Sequence, residues 1–173
     1  HRLDKDTSGC IVVAKSQEAL VSLQLQIKSK VASRNYIAVI HGVPKGTEGK
    51  ITGNIGRHPK DRKKYAVVEE NEGRYACTYW KLIEKIGNYS LMSFKLDTGR
   101  THQIRVHCSH INHPIVGDPL YGRCKKLPCN LSGQALHASK LGLIHPINGE
   151  EMIFEAELPH DFKKLLKIIK NIN

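Results

Sequence analysis

Two alternating runs, residues 75–86 and 89–96, meet at Gly87-Asn88 and constrain the fold of this chain more than any other feature. Side chains that alternate with period two belong to strands, and a Gly-Asn step between two such runs makes a tight hairpin. Neighbouring strands therefore run antiparallel. Residues 34–41 set Tyr36, Ala38 and Ile40 against Ile37 and Val39, a strand whose faces differ little in polarity and which is expected to be covered on both, with Tyr36 near its start. Further strands are expected at 10–14, a short β-branched run that reads as buried, and at 50–55, 135–144 and 152–157. Ser16 can cap a helix that places Leu20, Leu23, Ile27 and Val31 on one stripe. Residues 98–107 open a second helix with Ile104, Cys108 and Ile111 toward the core and Pro114 at its end. Residues 159–172 form an amphipathic closing helix through Phe162, Leu165, Leu166 and Ile169. Residues 117–122 are turn chemistry and 123–133 a basic loop. No linker, repeat or second domain breaks the pattern.

At 173 residues and 40% hydrophobic content the chain is long enough for one domain with a real core, and it has no run of 18 apolar residues to span a bilayer. It opens at His1 with neither a secretory signal nor a transit peptide, and reads as a fragment whose natural N-terminus is missing. Lys and Arg number 27 against 16 Asp and Glu, a formal charge of +11, and a polyanion is the partner such a surface attracts. Charge alone does not choose between RNA, DNA and anionic lipid, and it fits a soluble protein of high pI equally well. Cys10, Cys77, Cys108, Cys124 and Cys129 are odd in number and scattered, with no C-x-x-C pair. That usage suggests neither disulfides nor a zinc knuckle and fits a reducing compartment, the cytoplasm or an organelle. His102, His107, His110 and His113 crowd one segment, but no pattern such as H-E-x-x-H accompanies them, so no metal site is expected and a metal-dependent nuclease is the weakest reading.

The run His1-Arg2-Leu3-Asp4-Lys5-Asp6-Thr7-Ser8-Gly9 places the Asp4 carboxylate among basic residues and ahead of a small polar turn. Taken alone, Asp4 or Asp6 serves equally as a turn or helix-capping residue. Residues 57–65, Arg57-His58-Pro59-Lys60-Asp61-Arg62-Lys63-Lys64-Tyr65, are basic with one aromatic side chain and no apolar periodicity, which reads as an exposed arm. The opening run resembles the signature of the RluA-type RNA pseudouridine synthases. The chain resembles that family again at Arg34-Asn35-Tyr36, at Gly99-Arg100-Thr101-His102-Gln103-Ile104-Arg105-Val106-His107, at His113-Pro114-Ile115-Val116-Gly117-Asp118, and at Ala135-Leu136-His137-Ala138 leading to His145-Pro146. These matches fall in family order and run nearly from end to end.

The resemblance implies an α+β pseudouridine-synthase fold, a mostly antiparallel mixed sheet with flanking helices and a central cleft, with residues 1–173 as one catalytic domain lacking its N-terminal part. Family members carry strands and a helix upstream of the opening run, so part of the sheet is expected to lack its strands and to expose an edge. Asp4 aligns with the catalytic aspartate, Tyr36 with the tyrosine that packs on the target base and Arg105 with the partner of that aspartate. Leu136 aligns with an apolar residue of the pocket and Arg2 with an arginine that helps fill the place vacated by the flipped nucleotide. Arg100, His102 and Gln103 join them as substrate-binding candidates. In the arm, Arg57, His58, Lys60, Arg62, Lys63 and Lys64 are expected to clamp RNA through phosphate, which positions a strand without reading its sequence. The Arg57-His58-Pro59 wording is closest to the RluD-like branch, whose substrate is large-subunit (23S-type) ribosomal RNA.

The residue types suit that chemistry. Converting uridine to pseudouridine breaks the N1–C1′ bond, turns the uracil and joins C5 to C1′ with no net redox or hydrolysis, so no cofactor is expected. An ionised carboxylate can attack C1′ or C6, or remove the 2′ proton, and a nearby guanidinium favours the ionised form. All three routes stay open. A catalytically silent RNA-binding module and a synthase acting on transfer RNA are the alternative readings.

Overall fold

The computed structural model describes residues 1–122 and 129–172. The described chain runs β1 (Ser8–Gly9), α1 (Gln17–Lys28), β2 (Ser33–His41), β3 (Glu48–Arg57), β4 (Tyr65–Val68), β5 (Arg74–Ile86), β6 (Tyr89–Leu96), α2 (Gln103–His110), β7 (Leu136–Ile144), β8 (Glu151–Glu155) and α3 (His160–Asn171). Its strands form one sheet in the order β1-β7-β2-β6-β5-β3-β4, with β8 also on β7. Among the described residues every strand pairing is antiparallel except the two-residue contact of β1 with β7. The fold is therefore α+β with a mixed sheet. The β5–β6 hairpin turns at Gly87, whose φ of +54° at the first turn position is the glycine-dependent geometry that matches strand twist.

The main core joins Tyr36, Ala38 and Ile40 of β2 with Met92 and Phe94 of β6, closed by Ile104 and Cys108 of α2 and by Phe162, Leu165 and Ile169 of α3. The spacing in α3 is the one read from the sequence, with Leu166 only partly buried. A smaller cluster of Leu23, Ala32, Leu141 and Leu143 lies under α1.

Several sequence expectations are corrected. Residues 10–14 form no strand: the Cys10 amide donates to the Ala138 carbonyl at 2.8 Å, and from Lys140 onward β8 takes that edge of β7. Ile11 and Val13 are 52% and 76% exposed, while Cys10, Val12 and Ala14 pack on the smaller core. Ser16 does cap α1, accepting from the Ala19 amide at 3.2 Å, but the buried face is Leu23, Gln26 and Ile27, with Leu20 and Val31 exposed. Gln26 acts there like a strand neighbour, donating to the Ile144 carbonyl at 2.7 Å and accepting from its amide at 2.8 Å.

Helix α2 begins at Gln103 rather than at 98, because His102 takes left-handed backbone (φ +56°) and the Thr98 hydroxyl and Arg100 amide both donate to Gln103 Oε1. Ile111 lies just beyond its end and is half-buried. The arm at 57–65 is no free loop, since Arg57 ends β3 and Tyr65 begins the unforeseen strand β4. Residues 123–128 of the basic loop, with Cys124, lie outside the described residues. β8 is an exposed edge that leaves Ile153 and Phe154 open. No helix among the described residues is long and apolar enough to cross a membrane.

α2 is tied to β5 through His107, which is fully buried with Nδ1 2.9 Å from Thr78 Oγ1. That hydroxyl also accepts from Gln103 Nε2, leaving its own proton for His107, and burial lowers the His107 pKa from 6.5 to about 4. Below about pH 6.5 the unfolded chain takes up a proton that the folded chain refuses until about pH 4. Stability present at neutral pH should thus fall across this window by roughly 3 kcal/mol at about 1.4 kcal/mol per unit. Urea unfolding from pH 7 to pH 4 checks this, and His107→Gln should remove most of the slope.

Candidate active site

The opening run reaches its place by a short parallel pairing. Ser8 and Gly9 sit opposite His137 and Ala138, and Ser8 Oγ lies 2.9 Å from His137 Nδ1. Gly9 has φ +111°, and a Cβ there would run into the Ala138 carbonyl, so a side chain would break the pairing. Upstream, the Thr7 amide donates to the Asp4 carbonyl at 3.0 Å, and Gln134 Nε2 donates to the Lys5 carbonyl at 2.6 Å and to Thr7 Oγ1 at 2.8 Å. The loop is thereby fixed at both ends of the turn, and its Asp4 side chain is 14% exposed.

From the first turn of α2, Arg105 Nη1 reaches Asp4 Oδ2 at 3.4 Å. Its stronger partner is Asp118, whose carboxylate is fully buried: Nε donates to Oδ2 at 2.7 Å and Nη2 to Oδ1 at 2.9 Å. Asp118 Oδ1 also accepts from the Leu120 and Tyr121 amides at 2.9 and 3.0 Å. The Tyr121 ring covers the Arg105 guanidinium at 5.2 Å. Burial works against the charge on Arg105, but the hydrogen bonds and charge of Asp118, with Asp4 behind them, raise its pKa. The pair thus keeps a cation beside Asp4 across the working pH range.

Tyr36 lines the same cleft as Asp4, and burial, opposed by Arg34 and aided by Asp4, raises its pKa, so the phenol keeps its proton. The cleft measures about 530 Å³, a size suited to a small ligand or a single nucleotide unit, and Arg2, Leu136, Arg100 and His102 line it as well. Gln103 borders it too, but its side chain is spent on the fold, donating to the Cys77 carbonyl and Thr78 Oγ1 and accepting from Thr98 and Arg100. His102 Nδ1 lies 2.9 Å from the Tyr121 hydroxyl, which also accepts from the Tyr65 amide at 2.9 Å. Burial raises Tyr121 to about 12, so it donates its proton to His102, whose own pKa burial lowers.

The arm residues lie outside the cleft, on the connection between β3 and β4. Arg57 is spent there: its guanidinium stacks over Tyr65 at 4.6 Å and donates to the Arg62 carbonyl. His58 Nδ1 accepts from the Lys60 and Asp61 amides, and Asp61 holds the Lys63 amide and, at 3.7 Å, Lys64 Nζ. Lys60, Arg62 and Lys63 point their charge to solvent. Asp118 and Tyr121 were missed as site residues, since Gly117-Asp118-Pro119 reads only as a turn. The sole hint was its place inside one of the family-like segments.

The fold is of the pseudouridine-synthase type. Residues 1–110 match the RNA pseudouridylate synthase family, and the chain belongs to it. It is 50% identical over 171 residues to an uncharacterised RNA pseudouridine synthase of Synechocystis, covering 98% of this chain and 52% of that protein. It is 42% identical over 175 residues to the ribosomal large subunit pseudouridine synthase D of Zymomonas mobilis, covering 98% of this chain and 55% of the relative. Among solved structures, human RNA pseudouridylate synthase domain containing 4 superposes with a TM-score of 0.80 at 26% identity, over 98% of this chain and 74% of that one. The chain spans about half the length of these sequence relatives.

Asp118→Asn should test how the cation is held. Removing one charge of a buried pair leaves the other poorly compensated, so unfolding by urea should show a loss of about 3–5 kcal/mol.

Proposed function

We propose that the protein isomerises uridine to pseudouridine in RNA, with Asp4 as the carboxylate that begins the reaction. The observation that carries this reading is the Asp4–Arg105 ion pair in a cleft walled by Tyr36, in a chain of the RNA pseudouridylate synthase family. The guanidinium faces the Asp4 carboxylate at 3.4 Å and limits its orientation. The carboxylate then adds to C1′ or C6, or takes the 2′ proton, and the N1–C1′ bond breaks. Uracil turns while the aromatic face of Tyr36 holds it, and C5 bonds to C1′ as the bond from Asp4 to C1′ or C6 breaks, or as Asp4 returns the 2′ proton; the C5 proton then leaves, balanced by the proton gained at N1. The Tyr36 hydroxyl, kept protonated by burial, can move that proton as a relay, yielding its own proton as it takes the one from C5. The half-buried walls limit water, which would otherwise hydrolyse the broken glycosidic bond. No redox partner or other co-reactant enters the balance.

The target base is hidden in stacked RNA, so it has to be flipped out at a cost of a few kcal/mol, with Arg2 at the mouth of the cleft to fill its place. Lys60, Arg62 and Lys63 on the hairpin meet phosphate. Large-subunit ribosomal RNA is the proposed substrate, supported by relatives named ribosomal large subunit pseudouridine synthase D from Zymomonas mobilis and Nitrosomonas europaea.

In the full-length protein, Asp4→Asn should abolish tritium release from 5-tritiated uridine in large-subunit ribosomal RNA while RNA affinity stays within a few-fold of the wild type. Substantial residual turnover would place the chemistry on another residue, and release from transfer RNA alone would move the substrate.

A further inference from the structure

Arg34 stands on β2 two residues before Tyr36, hence on the same strand face, and it lines the cleft. It is 8% exposed, yet its side chain has no hydrogen bond or ion pair among the described residues, and its Nε is buried without a partner. Asp97, whose field reaches it, is held by Lys30 at 2.7 Å. A buried Nε–H with no acceptor is unfavourable, and the rest of the guanidinium faces the cleft, so its persistence calls for a ligand there.

The recess around it is shaped for that side chain. A Cβ on Gly99 would lie 2.5 Å from Arg34 Nη1, so any side chain there would push the guanidinium off its seat against the turn at 98–100. The same turn carries Arg100, and Arg74 is close enough to lower the Arg100 pKa further after burial has done so. Both line the cleft, and neither has an ion pair among the described residues. Arg34, Arg100 and Arg74 thus all line one cleft, Arg100 with its Nε on the Tyr75 carbonyl at 2.9 Å, and the acid whose field reaches Arg34 is already paired with Lys30. A planar fork of donors matches a phosphate better than any uncharged group.

We propose that Arg34, seated against Gly99, anchors a phosphodiester of the RNA strand next to the nucleotide in the cleft, with Arg100 and Arg74 at the rim of the same subsite. This rests on the RNA reading above and adds to it a place for the backbone. A flipped nucleotide carries its flanking phosphates with it, so a base stacked on Tyr36 brings one of them to the wall on which Tyr36 stands. The anchor is independent of sequence and would hold the strand during the turn of the free base.

The test uses the full-length protein and short RNA hairpins with one loop uridine, in which single methylphosphonate linkages neutralise one phosphate at a time. Arg34→Met should weaken binding roughly 10- to 100-fold, the range of one charged hydrogen-bonded contact. A methylphosphonate on one side of the uridine should produce the same loss in the wild type and no further loss in the variant. Without RNA, the melting temperature of Arg34→Met should be unchanged or higher, since an uncompensated buried charge has gone. Gly99→Ala, which presses on the guanidinium from the other side, should reproduce the loss at the same linkage. A lower melting temperature with RNA affinity intact would make Arg34 a structural residue and overturn the proposal, as would losses that multiply at every linkage. Wild-type tritium release from the same hairpins reports the isomerase reading separately, because the binding cycle needs no turnover.

Discussion

One guanidinium is shared between two carboxylates of unlike standing, and the site depends on that inequality. Asp118 is sealed in the protein and takes two Arg105 nitrogens in a fork, while Asp4 keeps some exposure and receives the third at 3.4 Å. The first contact aims the cation, and the second leaves Asp4 close to a positive charge without being locked to it. A carboxylate bound as tightly as Asp118 would make a poor nucleophile, since its lone pairs would be committed before substrate arrives. The turn at 118–122 earns its place because one oxygen of Asp118 also folds the backbone that brings Tyr121 over Arg105.

The second dependence is topological. Asp4 is on the far side of the chain from Arg105 in sequence, and the link between them is the two-residue parallel pairing of β1 on β7. So short a strand carries little stability of its own. Gln134, two residues before β7, adds two hydrogen bonds to the same loop, which makes the β7 entry a common support for Asp4 and for the pocket residue Leu136. Small changes at Gly9 or Gln134 would therefore act on the chemistry through position alone.

Much of this was legible because it is local. The Gly87-Asn88 turn, the period of α3 and the cap at Ser16 are all encoded within a few neighbouring residues, and the structure contains each of them. Asp4, Tyr36, Arg105 and Leu136 could be picked out because their segments resemble a family, and the fold brings all four to one cleft or its edge. The illegible parts depend on distant partners. Residues 10–14 have every local mark of a strand, but β8 occupies the edge they would need. The start of α2 is set by a left-handed histidine, a conformation that residue type alone rarely announces. Arg-x-Tyr spacing puts Arg34 and Tyr36 on one face but says nothing of whether a counter-charge waits there.

The β3–β4 connection has a consequence in entropy. Its polar groups are turned inward on one another: His58 and Asp61 hold backbone amides within the loop, and the Tyr65 amide is fastened to Tyr121 beside the Asp4–Arg105 pair. Seven residues rich in charge would ordinarily wander and would have to be ordered on contact with a ligand, at about 1–2 kcal/mol for each backbone unit. Here that ordering is completed during folding. The exposed lysines then extend from a stiff base, so an anion meeting them would cost only side-chain freedom, and any such contact would vary with ionic strength rather than wait on slow rearrangement.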